Sequence, residues 1–89
     1  MVSDRLKSIS SLVNSGEDIV DIGCDHGLLD IYLTLEYGCH CIGYDVNSYI
    51  VNRAISNISK YNLLDRIHVF VGNGFDDLGL NYDSVMVLA

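Results

Sequence analysis

Three short segments of the 89-residue sequence place chemically capable residues where a chain would turn. The first is Asp21-Ile22-Gly23-Cys24-Asp25-His26-Gly27. Gly23 and Gly27 let the backbone turn tightly and approach a ligand with no Cβ in the way. The loop has the form G-x-x-x-G, whereas a dinucleotide loop reads G-x-G-x-x-G. Asp25 inside it would repel a pyrophosphate. It suits a ligand with cationic groups, such as the amino group and sulfonium of S-adenosylmethionine. The plainer reading is an ordinary turn with Asp25 capping the next helix. The second segment is Gly43-Tyr44-Asp45-Val46. An acid about twenty residues beyond the first loop can accept hydrogen bonds from both hydroxyls of a ribose; a helix cap is the alternative. The third is Val71-Gly72-Asn73-Gly74-Phe75. Asn73 can accept from an exocyclic amine of adenine through its amide oxygen, or it can serve a turn by taking a left-handed conformation. His26 reads as a helix-start cap, a cofactor-loop contact or a substrate contact, the structural role first.

These segments need elements to hold them. Residues 3–14 carry Leu6, Ile9, Leu12 and Val13 on one helical face, with Ser3 as N-cap, Asp4 at the positive helix end and Ser15-Gly16 as the stop. Residues 18–22 read as a buried strand. A helix runs from Gly27 to about Glu36 and ends at Tyr37-Gly38; a second strand covers Cys39 to Asp45. Asn47 or Ser48 caps a third helix reaching about Tyr61, with Ile50, Val51, Ala54, Ile55 and Ile58 on one side. Ile67–Val71 is a third strand, followed by the Gly72–Gly74 turn, a helical turn over Phe75–Leu78 and a fourth strand over Ser84–Leu88. Alternating strands and helices predict βαβ units and a doubly wound parallel α/β sheet. The expected strand order is 3-2-1-4. Ligands in such sheets bind at the strand carboxyl ends, beside the reversal of strand order.

Composition narrows the function further. Twelve acidic and five basic residues give a net charge of −7, so the chain has no independent hold on nucleic acid. No apolar run reaches the roughly 18–20 residues of a membrane span, and the N-terminal stretch lacks the apolar core of a secretion signal. A cytoplasmic setting with reduced thiols follows for Cys24, Cys39 and Cys41. Cys39-His40-Cys41 resembles a metal fragment. On a strand, however, His40 faces away from both cysteines, so no metal is expected. Tyr32, Tyr37 and Tyr61 read as packing residues, and Ser10 and Ser11 carry no triad. Arg5 reads as part of a solvated helix face. With no linker, repeat or low-complexity tract, residues 1–89 form one domain.

The run Val2-Ser3-Asp4-Arg5-Leu6-Lys7-Ser8-Ile9, together with Asp21-Ile22-Gly23-Cys24-Asp25-His26-Gly27-Leu28-Leu29, resembles the bacterial tRNA (adenine-N1) methyltransferases of the TrmK type. That family opens with L-S-x-R-L and carries D-I-G-x-D-H-A-Y-L-P. Its D-V after the second strand is similar to Asp45-Val46, and its G-D-G-L to Gly72-Asn73-Gly74-Phe75. The resemblance implies a Rossmann-like class I methyltransferase fold with an N-terminal helix. It also implies S-adenosylmethionine as cofactor and methyl transfer to N1 of an adenine in the D-arm region of tRNA. The implied cofactor set is Asp21, Gly23, Cys24, Asp25, His26, Gly27, Asp45, Val46, Asn73 and Gly74. Within it Gly23, Asp25 and His26 line the methionine end, Asp45 holds the ribose, and Asn73 with Gly74 borders the adenine. Arg5 is the substrate-side candidate, near the cofactor mouth. Gly27-Leu28 stand where the family has Ala-Tyr, Asp30 where it has proline, and Asn73 where it has an acid. The family continues into A-G-M-G-G at Ala89, so the chain is expected to be the cofactor half, truncated, with tRNA contacts beyond it. The open sheet edge predicts self-association. The rival readings are another class I methyltransferase, acting on protein or a small molecule, and a non-catalytic nucleotide-binding module.

Overall fold

Apolar runs long enough for five or six extended residues, separated by two amphipathic segments, dictate the architecture. The computed structural model describes residues 8, 9, 11–74 and 86–88, the last three through their backbone. The elements are β1 (Asp18–Ile22), α1 (Leu28–Tyr37), β2 (His40–Asp45), α2 (Ser48–Lys60), β3 (Ile67–Val71) and β4 (Met86–Leu88). The four strands pair in parallel in the order β3-β2-β1-β4. The register sets Ile19 beside Cys41 and Cys41 beside Ile67. Period-2 alternation therefore sends these three, with Val69, to one face. There they form one core with Leu29 and Leu33 of α1 and Val51, Ala54 and Ile58 of α2. Fully buried aliphatic side chains such as Ile19, Leu33 and Ile58 contribute roughly 1.5–3 kcal/mol each. On the opposite face Tyr44 and Phe70 stack, with ring centroids 5.9 Å apart.

Local chemistry explains the helix ends. Asn47 caps α2: its side chain accepts from the N–H groups of Tyr49 at 2.9 Å and Ile50 at 3.2 Å. Lys60 lies in the last turn, where the helix dipole favours a cation. The start of α1 follows Gly27 in the left-handed region, with no side-chain cap, and its end is closed by Gly38, also left-handed, whose N–H returns to the Thr34 carbonyl. Arg66, just before β3, donates to the Gly38 carbonyl at 2.6 Å and so ties the end of α1 to the edge of the sheet.

Two expectations need correcting. Leu12 does not share the inward helical face with Ile9 and Val13: it is 68% exposed. The cause is a turn at 11–12, where the Leu12 N–H bonds the Ile9 carbonyl, so the chain has left the helix before Leu12 and Val13 takes the buried place. Ile55 is likewise exposed on α2, where the inward stripe is Val51, Ala54 and Ile58. Residues 3–7 of the opening helix, the turn over Phe75–Leu78, and residues 84 and 85 of the last strand lie outside the described residues.

Candidate functional site

The carboxyl ends of β1, β2 and β3 meet at one rim of the sheet, and backbone bonds fasten them. The N–H groups of Gly23 and Cys24 both donate to the Tyr44 carbonyl, at 2.7 and 2.9 Å, and the Gly72 N–H donates to the Asp45 carbonyl at 2.9 Å. Gly23 has φ +73°, and the Cβ it lacks would point into open space, so its backbone is bare to whatever enters. Asp25 then takes φ 56°, a left-handed conformation that aspartate tolerates better than most residues. That turn aims the Asp25 N–H at the Asp45 Oδ2, 3.2 Å away. The Asn47 N–H holds Oδ1 at 3.1 Å. One carboxylate is thus oriented by two loops. It is half-buried, and each oxygen keeps a lone pair for a further donor.

Ile22, Gly23, Asp45, Val46, Gly72 and Asn73 line an open cavity of about 230 Å³. Ile22 and Val46 give it apolar walls, Asp45 an anionic acceptor and Asn73 a neutral one. None of the described cations, Arg53, Lys60 and Arg66, lines it. An apolar slot with a carboxylate and, among the described residues, no cation fits a nucleoside with vicinal hydroxyls better than a phosphate chain. The residues present therefore fit an adenosyl group.

Of the expected set, Gly23, Asp45, Val46 and Asn73 come together on this cavity. Asp21, Cys24 and Gly27 stand behind it. Asp21 is 3% exposed and faces Asp30 beneath α1. Strand alternation is the reason: Ile22 turns to the cavity, so Asp21 turns to the helices. Burial, then the carboxyls of Asp30, Asp21 and Asp45, push the Cys24 thiol up to about 12, which leaves it neutral and unreactive. Gly27 starts α1 against Ala54 and Ile58, and Gly74 is pressed on Ile22 and Tyr44, where a Cβ would meet Tyr44 Cδ2 at 2.8 Å. Asp25 is not a helix cap. Its Oδ1 pairs with His26 Nδ1 at 2.9 Å, both side chains being exposed. His26 does not cap either, and its carbonyl accepts from Asn57 Nδ2 of α2 at 3.0 Å. Arg5 lies outside the described residues. Ile22 and Gly72 are the lining residues that sequence reading missed. The alternation that buries Asp21 is the signal that points to Ile22.

The other candidate residues have structural places. Cys39 and Cys41 are buried while His40 is exposed, 3.8 Å from Asp18. Tyr32 and Tyr37 pack edge to face with centroids 6.3 Å apart, both against the core.

A parallel sheet with an apolar slot and a carboxylate at its carboxyl rim defines a class, and residues 2–89 match the family model described as a methyltransferase domain. The chain belongs to that family. Among individual proteins it is similar to M. capricolum TrmK, solved in complex with S-adenosyl-homocysteine: 32% identity, TM-score 0.81, covering 91% of this chain and 36% of that one. It is 34% identical over 77 residues to a Mycoplasma genitalium protein provisionally named a tRNA methyltransferase, covering 83% of this chain and 34% of the relative. It is 29% identical over 83 residues to the ribosomal protein L11 methyltransferase of Shouchella clausii, covering 92% of this chain and 26% of the relative. The chain thus spans between a quarter and just over a third of the proteins it matches.

Proposed function

We propose that residues 1–89 are the S-adenosylmethionine-binding part of a tRNA (adenine-N1) methyltransferase, one domain acting in the cytoplasm without a metal. The observation that carries this reading is the Asp45 carboxylate, gripped by the N–H groups of Asp25 and Asn47 and turned to the slot. Its two remaining lone pairs accept the ribose hydroxyls. Gly23 lets the methionine end pass close to the backbone, with Asp25 and His26 beside it. Ile22 and Val46 sandwich the adenine, and the Asn73 amide oxygen takes its exocyclic amine. When bound, the cofactor supplies the methyl group on its sulfonium. The likeness to TrmK, the B. subtilis example of which is an m1A22 tRNA methyltransferase, supports adenine N1 as the acceptor. With five basic residues against twelve acidic, the phosphate contacts to tRNA come from residues outside this chain. Arg5 stands on the substrate side. The open edge at β4 is the one through which the chain self-associates.

Calorimetry with S-adenosyl-homocysteine tests the cofactor reading. Asp45→Ala removes two charge-assisted hydrogen bonds and is expected to weaken binding by on the order of 2–4 kcal/mol. Unchanged affinity would take Asp45 out of the site. A protein substrate is the second reading, favoured by the L11 methyltransferase relative. Radiolabelled methyl transfer by the whole protein, offered tRNA and ribosomal protein together, separates the two.

A further inference from the structure

Asp30 stands in the first turn of α1 and is completely buried. It occupies the space that Gly43 leaves: a Cβ on Gly43 would lie 3.2 Å from Asp30 Oδ2 and 2.9 Å from Cys24 Sγ. Among the described residues, no N–H or hydroxyl donor reaches either Asp30 carboxyl oxygen. What faces it is the carboxyl of Asp21, at the end of β1 and itself buried. Among the described residues, no cation acts on it. The loop contributes Cys24, and β2 contributes Cys41, whose thiol lies 3.9 Å from the Asp30 carbonyl and 3.6 Å from Thr34 Oγ1. Both thiols are held neutral by burial and by the carboxyls. Asp45 adds a third carboxylate at the tip of β2, and α2 buries only Val51, Ala54 and Ile58. Two ionised carboxylates cannot share such a space, and a lone ionised one would lack donors. One proton on the pair meets both demands. It removes a charge and turns one carboxyl oxygen into the missing donor. Burial and Asp21 push Asp30 well above the carboxylate range, in keeping with this.

We infer that Asp30 is a positioning residue: a proton shared between its carboxyl and that of Asp21 fastens the first turn of α1 to the end of β1, and so fixes the loop of residues 23–27 between them. That loop carries Gly23 of the cavity wall and the Asp25 N–H that steers Asp45. Loss of the proton sets two buried charges against each other across the loop, and the Asp25–Asp45 bond slackens. The consequence for cofactor binding rests on the reading of the cavity given above; the consequence for the loop does not.

Carbon-13 NMR of the aspartate carboxyls of the full chain, followed across pH, tests the inference. One carboxyl of the Asp21–Asp30 pair is expected to stay protonated to higher pH than any other aspartate. The amide signals of Gly23, Asp25 and Gly27 are expected to move with the same midpoint. Asp30→Asn keeps a donor and leaves the single charge on Asp21. It should retain the wild-type loop signals at neutral pH and abolish their titration. Asp30→Leu keeps the bulk without the donor and should displace them at every pH. Affinity for S-adenosyl-homocysteine should fall above the midpoint by up to about tenfold per pH unit in the wild type and stay level in Asp30→Asn. Two ionised carboxyls throughout the neutral range, or loop signals that still titrate in Asp30→Asn, would overturn it. A wild type that binds no S-adenosyl-homocysteine at any pH would remove the cofactor reading and leave the carboxyl titration to decide the role of Asp30.

Discussion

Asn73 meets the cavity with an uncharged acceptor, where the resemblance described above implies an acid. Restoring the charge with Asn73→Asp should tighten binding of S-adenosyl-homocysteine by about 1 kcal/mol, since one neutral acceptor becomes ionised. A large loss in calorimetry would mean that the amide serves the Gly72–Gly74 turn. Asp45 is a residue that the sequence reads in two ways. Its position invited either a ribose acceptor or a helix cap. The cap is Asn47, and Asp45 instead receives the Asn47 backbone N–H, which leaves its outer lone pairs open. Asp21 was harder to read. Its place in the D-I-G run suggests the cavity; strand alternation turns it to the helices instead, where it meets Asp30, nine positions on, beside the space left at Gly43. No local pattern announces a meeting of three elements.

At the scale of the element, caps and fastenings separate cleanly. Asn47→Ala removes the side-chain acceptor for Tyr49 and Ile50 and should lower stability by about 1 kcal/mol. The backbone N–H that holds Asp45 survives the change, so affinity for S-adenosyl-homocysteine should stay near that of the wild type. Urea unfolding beside calorimetry checks both halves of this expectation. The strands and both described helices were legible because their periods differ: 2.0 residues for one and 3.6 for the other. Glycines in the left-handed region at 27 and 38 marked the limits of α1. The face of Leu12 was not legible, because an apolar residue one step beyond a helix end still fits the helical spacing. Only the turn closed by the Leu12 N–H removes it from the stripe.

For the whole molecule, buried acids set the pH dependence. Asp30 binds its proton more tightly folded than unfolded. Its stabilising contribution is therefore present in full below the ordinary carboxylate range and is lost as pH climbs to the raised value. Cys24 repeats the pattern higher up, from the ordinary thiol range to about 12. Urea unfolding over a pH series should show stability declining through both windows, with the lower decline absent in Asp30→Asn. The strand order carries a different consequence, one of timing. β1 takes its two neighbours from residues 40–45 and 86–88, so this inner strand of the described sheet cannot be flanked on both sides until residue 88 has been made. During synthesis from the N-terminus, β1, β2 and β3 can assemble as soon as they emerge, while the far edge of β1 stays bare. A ribosome paused after β3 has left the exit tunnel and before β4 has done so would hold out that bare edge of Ile19, Val20 and Asp21, a docking strip for whatever chaperone stands at the tunnel exit.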